Sequence, residues 1–498
     1  MAEYFISREQ AENDLLSAAA YIAERIKSSD GRAEAMSAIL PLYLEKGDVD
    51  LAAELANSVG DPFSRDKLLT VVAEKCAEID DDEYALQLAE AIEDHGLQAQ
   101  ATERIALVKA AKGSNKKAAK IAETMAHPDF VYAGIAVNQA AGGDEVAARA
   151  TLEQIDFASA RVSAIQHIAA SLIEGGESGR AVEWLDAAIE SANDIEHNEE
   201  KIRTLCDIGN LFIEAKRNDK AVAAFDAARG FSEQLDNVHR DLFLGSCALG
   251  FLHAGSTEFA DRTLDLVTDK TQMASALVGF AREYWRKEDK DDAIDTIEEA
   301  YAVLKSQRET ETRDSRTRNG LLTTIAAQFA GFGKTERSIE IAQTIPDEAE
   351  QMSALSQIAR ILTVQNEDDL ARQAFNSIND DASRLFALVG MSDEKEKRGD
   401  RKSSDEMLDD ALSMIDTVPQ LASRSSVYNA IASRFAAHDK VERARTVLLE
   451  NLQMITGIRD ESTQAAALAS LAELYDANNL EIGDSERQIV RDLVQRSD

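Results

Sequence analysis

The stretch that decides the fold is Leu205–Ala228, which reads LCDIGNLFIEAKRNDKAVAAFDAA. Apolar and small side chains recur at helical spacing in its first eight residues and again from Ala221 onward. The polar residues Lys216–Asp219 lie between these two segments and indicate a turn. The stretch therefore predicts two helices joined by a short connection, a helical hairpin.

The hairpin is repeated along most of the chain. A small residue near the start of each second helix marks the repeat, at Ala52, Ala85, Ala118, Ala148, Ala181, Ala221, Ala260, Ala293, Ser338, Ala371, Ser404 and Ala444. Six of the eleven intervals between these markers are 33 residues, and the position twelve residues before the marker is Ala, Gly or Ser in eleven of the twelve hairpins. Two small residues in fixed register allow the two helices to approach closely. A Leu or Phe at Ala221 would therefore overpack the contact and cost about 1–3 kcal/mol.

Turn-forming residues support this register. A Gly, Asn or Asp precedes most markers by five positions, at Gly47, Gly113, Gly143, Gly176, Gly255, Gly333, Asn366, Gly399 and Asp439. These residue types tolerate a positive φ, so we expect them to end the first helix. Four of the five prolines fall between hairpins. The exception, Pro41, lies inside the first helix of the first hairpin, where we expect a kink.

The two ends of the chain and one internal segment depart from the repeat. Ser7–Gln10 matches a capping box and predicts a helix that continues to about Lys27. Terminal helices are expected to cover the apolar faces of a stacked array. Residues 305–319 contain no apolar side chain and predict an irregular junction in an otherwise continuous array. The predicted segments are an N-terminal capping helix (1–30), a first array of repeats (31–304), the junction (305–319), a second array (320–456) and C-terminal capping helices (457–498).

The hairpin at Leu205–Ala228 resembles the tetratricopeptide (TPR) repeat. The TPR pattern is a bulky residue, Leu-Gly, an aromatic, then Ala, an aromatic and Ala, and Gly209, Phe212, Ala221 and Phe225 occupy four of these positions. The resemblance covers about 32–453 and implies an all-α fold, an α-solenoid that forms a right-handed superhelix of about 12–13 TPR-like hairpins. HEAT-like helix pairs are the structural alternative, and the 33-residue steps argue against them.

Composition and charge narrow the classes of function. The formal net charge of −37 repels nucleic-acid phosphates and anionic lipid headgroups. The sequence contains no run of about eighteen apolar residues, the length that a membrane-spanning helix requires. We therefore expect a protein or peptide partner, no nucleic acid and no membrane insertion. The acidity favours a basic partner or serves solubility. The three distant cysteines and a polar N-terminus predict a reducing, cytoplasmic compartment.

No catalytic or metal-binding motif emerges from the sequence. Residues 331–335 read GFGKT, but Gln328 stands where a phosphate loop requires glycine, so a helix turn explains Gly333 better. The seven histidines lack the spacing of metal ligands. Cys76 and Cys247 occupy positions that are apolar in other hairpins and are interpreted as buried thiols. We therefore predict that the chain is not an enzyme and needs neither a metal nor a cofactor.

The remaining functional candidate is the groove. In TPR proteins the first helices line a concave face that commonly holds an extended peptide or a partner helix. Carried over to this chain, the groove-facing residues are Phe130, Asn210, His253, Arg282, Trp285, Arg286 and Arg360. Arg282 and Arg286 lie one helical turn apart and could bind a carboxylate while Trp285 contacts an apolar side chain. Alternatively, these arginines pair with local acids and Trp285 packs between hairpins.

These features predict a non-catalytic scaffold or adaptor that binds a protein or peptide through its superhelical groove. Two alternatives remain open from the sequence. The chain could be a structural or assembly subunit that uses its convex face or its ends, or a small-molecule or regulatory sensor.

Overall fold

The computed structural model describes residues 4–306 and 315–497, and within these ranges every regular element is helical. The helices form antiparallel hairpins, so the predicted all-α repeat is confirmed. The chain divides into two compact units. One comprises Met1–Met125 together with Arg384–Asp498, and the other comprises Ala126–Ser383.

The first unit contains helices from both ends of the chain. They are α1 (Arg8–Ala11), α2 (Leu15–Arg25), α3 (Ser29–Glu45), α4 (Val49–Asn57), α5 (Pro62–Glu78), α6 (Asp82–Ala91), α7 (His95–Ala111) and α8 (Asn115–Ala122). After the second unit follow α23 (Asp381–Lys397), α24 (Arg401–Ser413), α25 (Leu421–Ala437), α26 (Val441–Ile455), α27 (Glu461–Ala477) and α28 (Asp484–Arg496), with one 3₁₀ turn at Ile415–Thr417.

Within the described residues, the second unit is built from seven consecutive hairpins. They comprise α9 (Asp129–Ala141), α10 (Glu145–Leu152), α11 (Ala158–Glu174), α12 (Ser178–Ala192), α13 (Asn198–Glu214), α14 (Asn218–Glu233), α15 (Arg240–His253), α16 (Thr257–Leu264), α17 (Lys270–Arg286), α18 (Lys290–Ser306), α19 (Ser315–Gly331), α20 (Thr335–Ala342), α21 (Glu348–Val364) and α22 (Asp368–Asn376).

A residue with positive φ ends the first helix of each repeated hairpin. At Gly47 (φ +83°) two backbone N–H groups donate to carbonyl groups of α3. Gly47 donates to the Leu44 carbonyl (3.2 Å) and Asp48 donates to the Tyr43 carbonyl (3.0 Å). This is the Schellman arrangement that satisfies the last carbonyls of a helix. All nine predicted turn positions have positive φ, and Asp80, Lys216 and Glu288 adopt it in the other three hairpins. The predicted register is therefore confirmed.

The core of the second unit is closely packed at the hairpin of Leu205–Ala228. Phe225 on α14 is 1% exposed, and its ring lies against Gly209 on α13, where an added Cβ would be 2.7 Å from the ring Cζ. The ring also lies against Gly250 on α15, where an added Cβ would overlap ring atoms. Two glycines thus admit one aromatic ring between three helices, because neither has a side chain that would occupy the space of the ring.

Carboxylates near the start of some first helices join neighbouring hairpins; Asp66 and Asp241 are buried and Asp129 is half-buried. Asp241 on α15 is 7% exposed, and its Oδ2 accepts hydrogen bonds from the backbone N–H groups of Thr268 (2.7 Å) and Asp269 (2.6 Å) and from the Thr268 hydroxyl (2.8 Å). Asp66 and Asp129 accept two backbone N–H bonds each at the equivalent junctions. Each carboxylate satisfies donors just before the next first helix begins, where no helical partner exists.

In the first unit, helices from the two ends of the chain pack on each other. Helix α2 contacts both α3 and α27, and α3 also contacts α27. The Ser462 hydroxyl donates to Glu34 (2.8 Å), and Lys46 forms an ion pair with Asp476 (2.8 Å). The apolar faces of these terminal helices are therefore buried against one another.

The predicted N-terminal helix differs from the observed one. The capping box at Ser7 is present, but α1 ends at Ala11 and a new helix begins at Leu15. The Asp14 carboxylate caps this second helix by accepting the Ser17 N–H (2.6 Å), so the continuous helix to Lys27 predicted from the sequence is wrong. Helix α3 continues through Pro41 to Glu45, and the kink there stays a prediction.

The predicted boundaries between segments stay predictions. Residues 307–314 of the predicted junction lie outside the described residues. Its other residues belong to the end of α18 and the beginning of α19.

Candidate functional site

The seven predicted groove residues lie on first helices of the second unit. Phe130 is on α9, Asn210 on α13, His253 on α15, Arg282, Trp285 and Arg286 on α17, and Arg360 on α21. Six are exposed and Trp285 is half-buried. His253 and the α17 residues form one cluster, whereas Arg360 lies two hairpins further along the chain and Phe130 four hairpins before α17.

A buried carboxylate organises the cluster on α17. Glu283 is 4% exposed, and its two oxygens accept bonds from Arg286 Nε and Nη2, both at 2.7 Å. Lys287 Nζ lies 3.2 Å and His253 Nε2 lies 3.7 Å from the same carboxylate. Burial raises the pKa of Glu283, but the hydrogen bonds from Arg286 and Lys287 lower that pKa by more, so it stays below its ordinary value. Glu283 is therefore ionised near neutral pH and already neutralised by its neighbours.

The His253 imidazole is held in its neutral form. Burial lowers its pKa most, and the charges of Arg286 and Lys287 lower it further, whereas Glu283 acts in the opposite direction. His253 therefore presents a polar, uncharged side chain at this surface near neutral pH.

Trp285 takes part in packing between hairpins. Its indole stacks on Phe332, which follows α19, with ring centroids 4.4 Å apart and an interplanar angle of 19°. Lys290 Nζ lies 5.4 Å from the indole centroid. One face of the indole is therefore covered by Phe332 and is not open to a partner.

Arg282 is the charged residue of this cluster whose side chain has no partner within the described chain. Its guanidinium is exposed and makes no hydrogen bond or ion pair with any described residue. It lies one residue before the buried Glu283, whose carboxylate is already paired with Arg286. Arg282 can therefore bind an anion without first breaking an internal bond.

Sequence reasoning missed the apolar part of this surface. Leu242 on α15 is 41% exposed, and Leu249 on the same helix is half-buried. Gly279 on α17 makes room for Leu249, because a Cβ there would lie 3.0 Å from its Cδ2. The signal was Leu242, because most other hairpins carry a polar residue at the equivalent first-helix position.

Phe130 belongs to a separate aromatic pair. Its ring contacts Phe157, which directly precedes α11, with centroids 6.3 Å apart at 72°. Both side chains are about half exposed. The pair presents apolar surface at the first hairpins of the second unit.

Metal, nucleotide and membrane features do not emerge from the described residues. Across 4–306 and 315–497 no cluster of three or more His, Cys, Asp or Glu side chains has the geometry to hold a metal ion. Gly333 (φ +73°) follows α19 and Lys334 is the N-cap of α20, so GFGKT forms a hairpin turn. In the same part of the chain no helix combines the length and apolar character that crossing a bilayer requires.

Comparison with known proteins gives matches among solved structures. No family model and no curated protein matches the chain. The Naa15/Naa10 complex bound to HypK-THB is similar at 14% identity, covering 93% of this chain and 79% of that one, with a TM-score of 0.32. The apo quorum sensor NprR from B. thuringiensis is similar at 12% identity, covering 65% of this chain and 97% of that one, with a TM-score of 0.27. TPR-like repeats of a candidate kinesin light chain from Podosopora anserina are similar at 12% identity, covering 53% of this chain and 100% of that one, with a TM-score of 0.24.

These likenesses are too distant to carry an argument about function. The assignment of the repeat rests on the chain itself, on its antiparallel hairpins, its positive-φ turns and the small residues at helix contacts. By these features the chain is an all-α protein of repeated antiparallel helical hairpins, the arrangement that the TPR resemblance implies.

Proposed function

We propose that this chain is a non-catalytic scaffold or adaptor that binds a protein or peptide partner through the first helices of the second unit. The observation that supports this most directly is the exposed, unengaged guanidinium of Arg282 within the described chain. The chain carries 91 Asp and Glu against 54 Lys and Arg. Although acidic residues are in such excess, Arg282 lies beside a buried carboxylate without pairing with it. Its guanidinium therefore remains available to bind an anionic group of a partner.

The chemistry of the surface favours an extended segment with a carboxylate. Arg282 would bind that carboxylate in a bidentate manner, and neutral His253 would donate or accept a hydrogen bond. Leu242 and Leu249 on the neighbouring first helix supply apolar contact area. The partner is therefore expected to carry an acidic side chain or a C-terminal carboxylate next to an apolar residue.

The packing of the terminal helices bears on the alternative of an assembly subunit. Helices α2 and α27 already cover each other in the first unit. Stacking of copies through these faces would require that contact to open. An assembly subunit would therefore use its convex face, and assembly through the ends of the chain is less well supported.

The test is a binding measurement with matched arginine variants. A partner captured with the full chain from native lysate is identified, and its Kd is measured for wild type, Arg282→Ala and Arg262→Ala. Arg262 on α16 is an equally exposed arginine on a second helix, paired with Glu258. A charge-assisted bond contributes about 1.5–3 kcal/mol, so Arg282→Ala should weaken binding at least about tenfold.

The triple variant Arg282→Ala, Arg286→Ala and Arg360→Ala extends the test to the whole predicted patch. Partner recovery equal to that of wild type would remove the patch from the binding surface. If Arg262→Ala instead weakens binding, the second helices carry the partner and the proposal is wrong.

A further inference from the structure

A second surface lies on the other side of the hairpins, between the second helices α12 and α14. It is an open groove of about 560 Å³. Its floor is formed by Leu205 and Phe212 of α13, and its walls come from both second helices. The lining residues on the walls are Asp186, Ile189, Glu190, Asn193, Lys220, Ala223, Ala224, Ala227 and Phe231. Pockets for small ligands and peptide side chains fall in this size range.

The groove exists at this position because two long second helices are adjacent. Helix α12 has 15 residues and α14 has 16, whereas the preceding α10 and the following α16 have 8 each. At 1.5 Å per residue the long pair extends for about 22–24 Å and its short neighbours for about 12 Å. Ile189, Ala227 and Phe231 lie in the additional turns, which the shorter second helices α10 and α16 lack.

The two walls differ in chemistry. The wall from α14 presents three alanines and half-buried Phe231, with Lys220 nearest the start of the helix. Ala223 and Ala227 are exposed. The wall from α12 presents Ile189 below an acidic rim. Residues 174–200 contain nine Asp and Glu and a single basic residue, Arg180. The groove is therefore apolar in its depth and negative along one edge.

One rim carboxylate has no cation. At one end Lys220 Nζ binds both oxygens of Asp186 at 2.5 Å, and at the other end Lys201 Nζ binds the Asn193 carbonyl at 3.0 Å and lies 5.2 Å from the Phe231 centroid. Glu190 lies between these two lysines and is exposed, and its carboxylate pairs with no group in the described chain. A bound partner can supply the missing charge.

We infer that this groove binds an amphipathic helix of a protein partner, with its apolar stripe on Ile189, Ala227 and Phe231 and a Lys or Arg against Glu190. The apolar part of the lining, formed by Ile189, the alanines and Phe231, offers no hydrogen-bonding side chain, so an extended backbone lying on it would leave its N–H and C=O groups unsatisfied. A helix satisfies its own backbone and presents only side chains. The site lies on second helices and does not depend on the first-helix surface of Arg282.

The test uses the full chain and defined peptides. The probe is a fluorescein-labelled peptide of about 14 residues of Leu and Lys, four turns long, whose leucines follow helical spacing. One control peptide replaces every Lys with Glu, and another keeps the composition but alternates Leu and Lys. Fluorescence anisotropy at physiological salt gives Kd for wild type, Ala227→Trp, which fills the groove, and Glu190→Lys, which reverses the rim charge.

Matched control variants lie on α18, a long second helix without this groove. Ala302→Trp adds the same indole at an exposed position, and Glu299→Lys makes the same charge change at an exposed acid. We expect Ala227→Trp and Glu190→Lys each to weaken binding of the Leu/Lys helix at least about tenfold, and the α18 variants to change it less than about twofold. Circular dichroism and melting temperature confirm that all four variants are folded.

Each other outcome contradicts the inference. Equal binding by wild type and Ala227→Trp would mean that the peptide binds the acidic surface in general. Equal binding of the Glu peptide would remove the role of Glu190, and equal binding of the alternating peptide would remove the requirement for a helix. Absence of binding by wild type up to millimolar peptide would show that the groove does not receive such a helix.

Discussion

Replacing Gly209 with alanine should destabilise the second unit, although alanine is the better helix former. The added methyl group would lie 2.7–3.0 Å from three atoms of the Phe225 ring. The ring is 1% exposed, and a Cβ added at Gly250 would also lie within 3 Å of its atoms, so the ring is closely packed against both α13 and α15. The same substitution at Gly230 on α14 meets no atom within 4 Å and serves as the matched control.

The magnitude follows from two opposing terms. Alanine in place of glycine inside a helix gains about 0.8–1.0 kcal/mol. Overpacking a dense core costs about 1–3 kcal/mol, and the upper part of that range applies where the neighbour is trapped. We expect Gly209→Ala to lose about 1–2 kcal/mol in free energy of unfolding and Gly230→Ala to gain up to about 1 kcal/mol. The two variants should therefore differ in sign.

The assay must report on the affected hairpins, because repeat proteins can unfold in parts. Hydrogen exchange followed by mass spectrometry on peptides from α13, α14 and α15 gives the local free energy of opening. Urea unfolding by circular dichroism gives the change for the whole unit. A double-mutant cycle with Phe225→Leu isolates the contact, since leucine removes the ring atoms that the new methyl would meet.

The reasoning fails if Gly209→Ala is as stable as wild type, or if it loses the same free energy in the Phe225→Leu background. The first result would mean that the ring moves freely at this position, and the second that the loss does not arise from contact with the ring. A loss of stability at Gly230 would indicate instead that glycine is required along α14 for a reason other than packing.

Two further predictions concern contacts between hairpins. Asp241→Ala should lower the free energy of unfolding by about 2–3 kcal/mol, because the backbone N–H groups of Thr268 and Asp269 lose their acceptor. Burial raises the pKa of Asp241, but these hydrogen bonds lower it by more, so the pKa lies below its ordinary value. The stability that the Asp241 carboxylate supplies is therefore full above about pH 4 and is lost as the pH falls through the folded pKa. The urea midpoints of Asp241→Ala and wild type should therefore converge at acid pH. Diamide should join Cys206 and Cys247, whose Sγ atoms are 3.8 Å apart, into a disulfide detectable by peptide mapping, with the buried thiol of Cys76 left free. The hydrogen bond to Cys247, together with burial, raises the pKa of Cys206, so the reaction should be slow and faster at high pH, and absence of the cross-link at high pH would refute the proximity of the two thiols.

Local features of the fold could be predicted because they depend on local chemistry. A helix that turns back on itself needs a residue with positive φ, and Gly or Asn at a fixed distance from the next small residue reveals it. The same turn at Lys216 and Glu288 carries no such mark. There the surrounding helices supply the roughly 1–2 kcal/mol that a side chain costs in this conformation.

Contacts between distant parts of the chain could not be predicted in this way. The packing of α2 on α27 joins the two ends of the chain, as does the bond between Glu34 and Ser462, which are 428 positions apart. Periodicity within each helix reveals that an apolar face must be covered, but it does not identify the covering helix. The break between α1 and α2 was missed because one capping box and one apolar stripe are compatible with either one helix or two.

The groove between α12 and α14 illustrates why surfaces are harder to predict than repeats. The sequence marks where each second helix begins, because the small residue and the turn are fixed. The sequence is a poor indicator of where a second helix ends. The described second helices of the second unit range from 8 to 17 residues. Differences in helix end, rather than in the repeat itself, give neighbouring hairpins different surfaces. The charges left unengaged in the described chain then distinguish these surfaces, since Arg282 on the first-helix side offers a cation and Glu190 on the second-helix side offers an anion. A scaffold with two such sites could hold an acidic segment and a basic helix together, because the two sites lie on different helices and neither partner would occupy the place of the other.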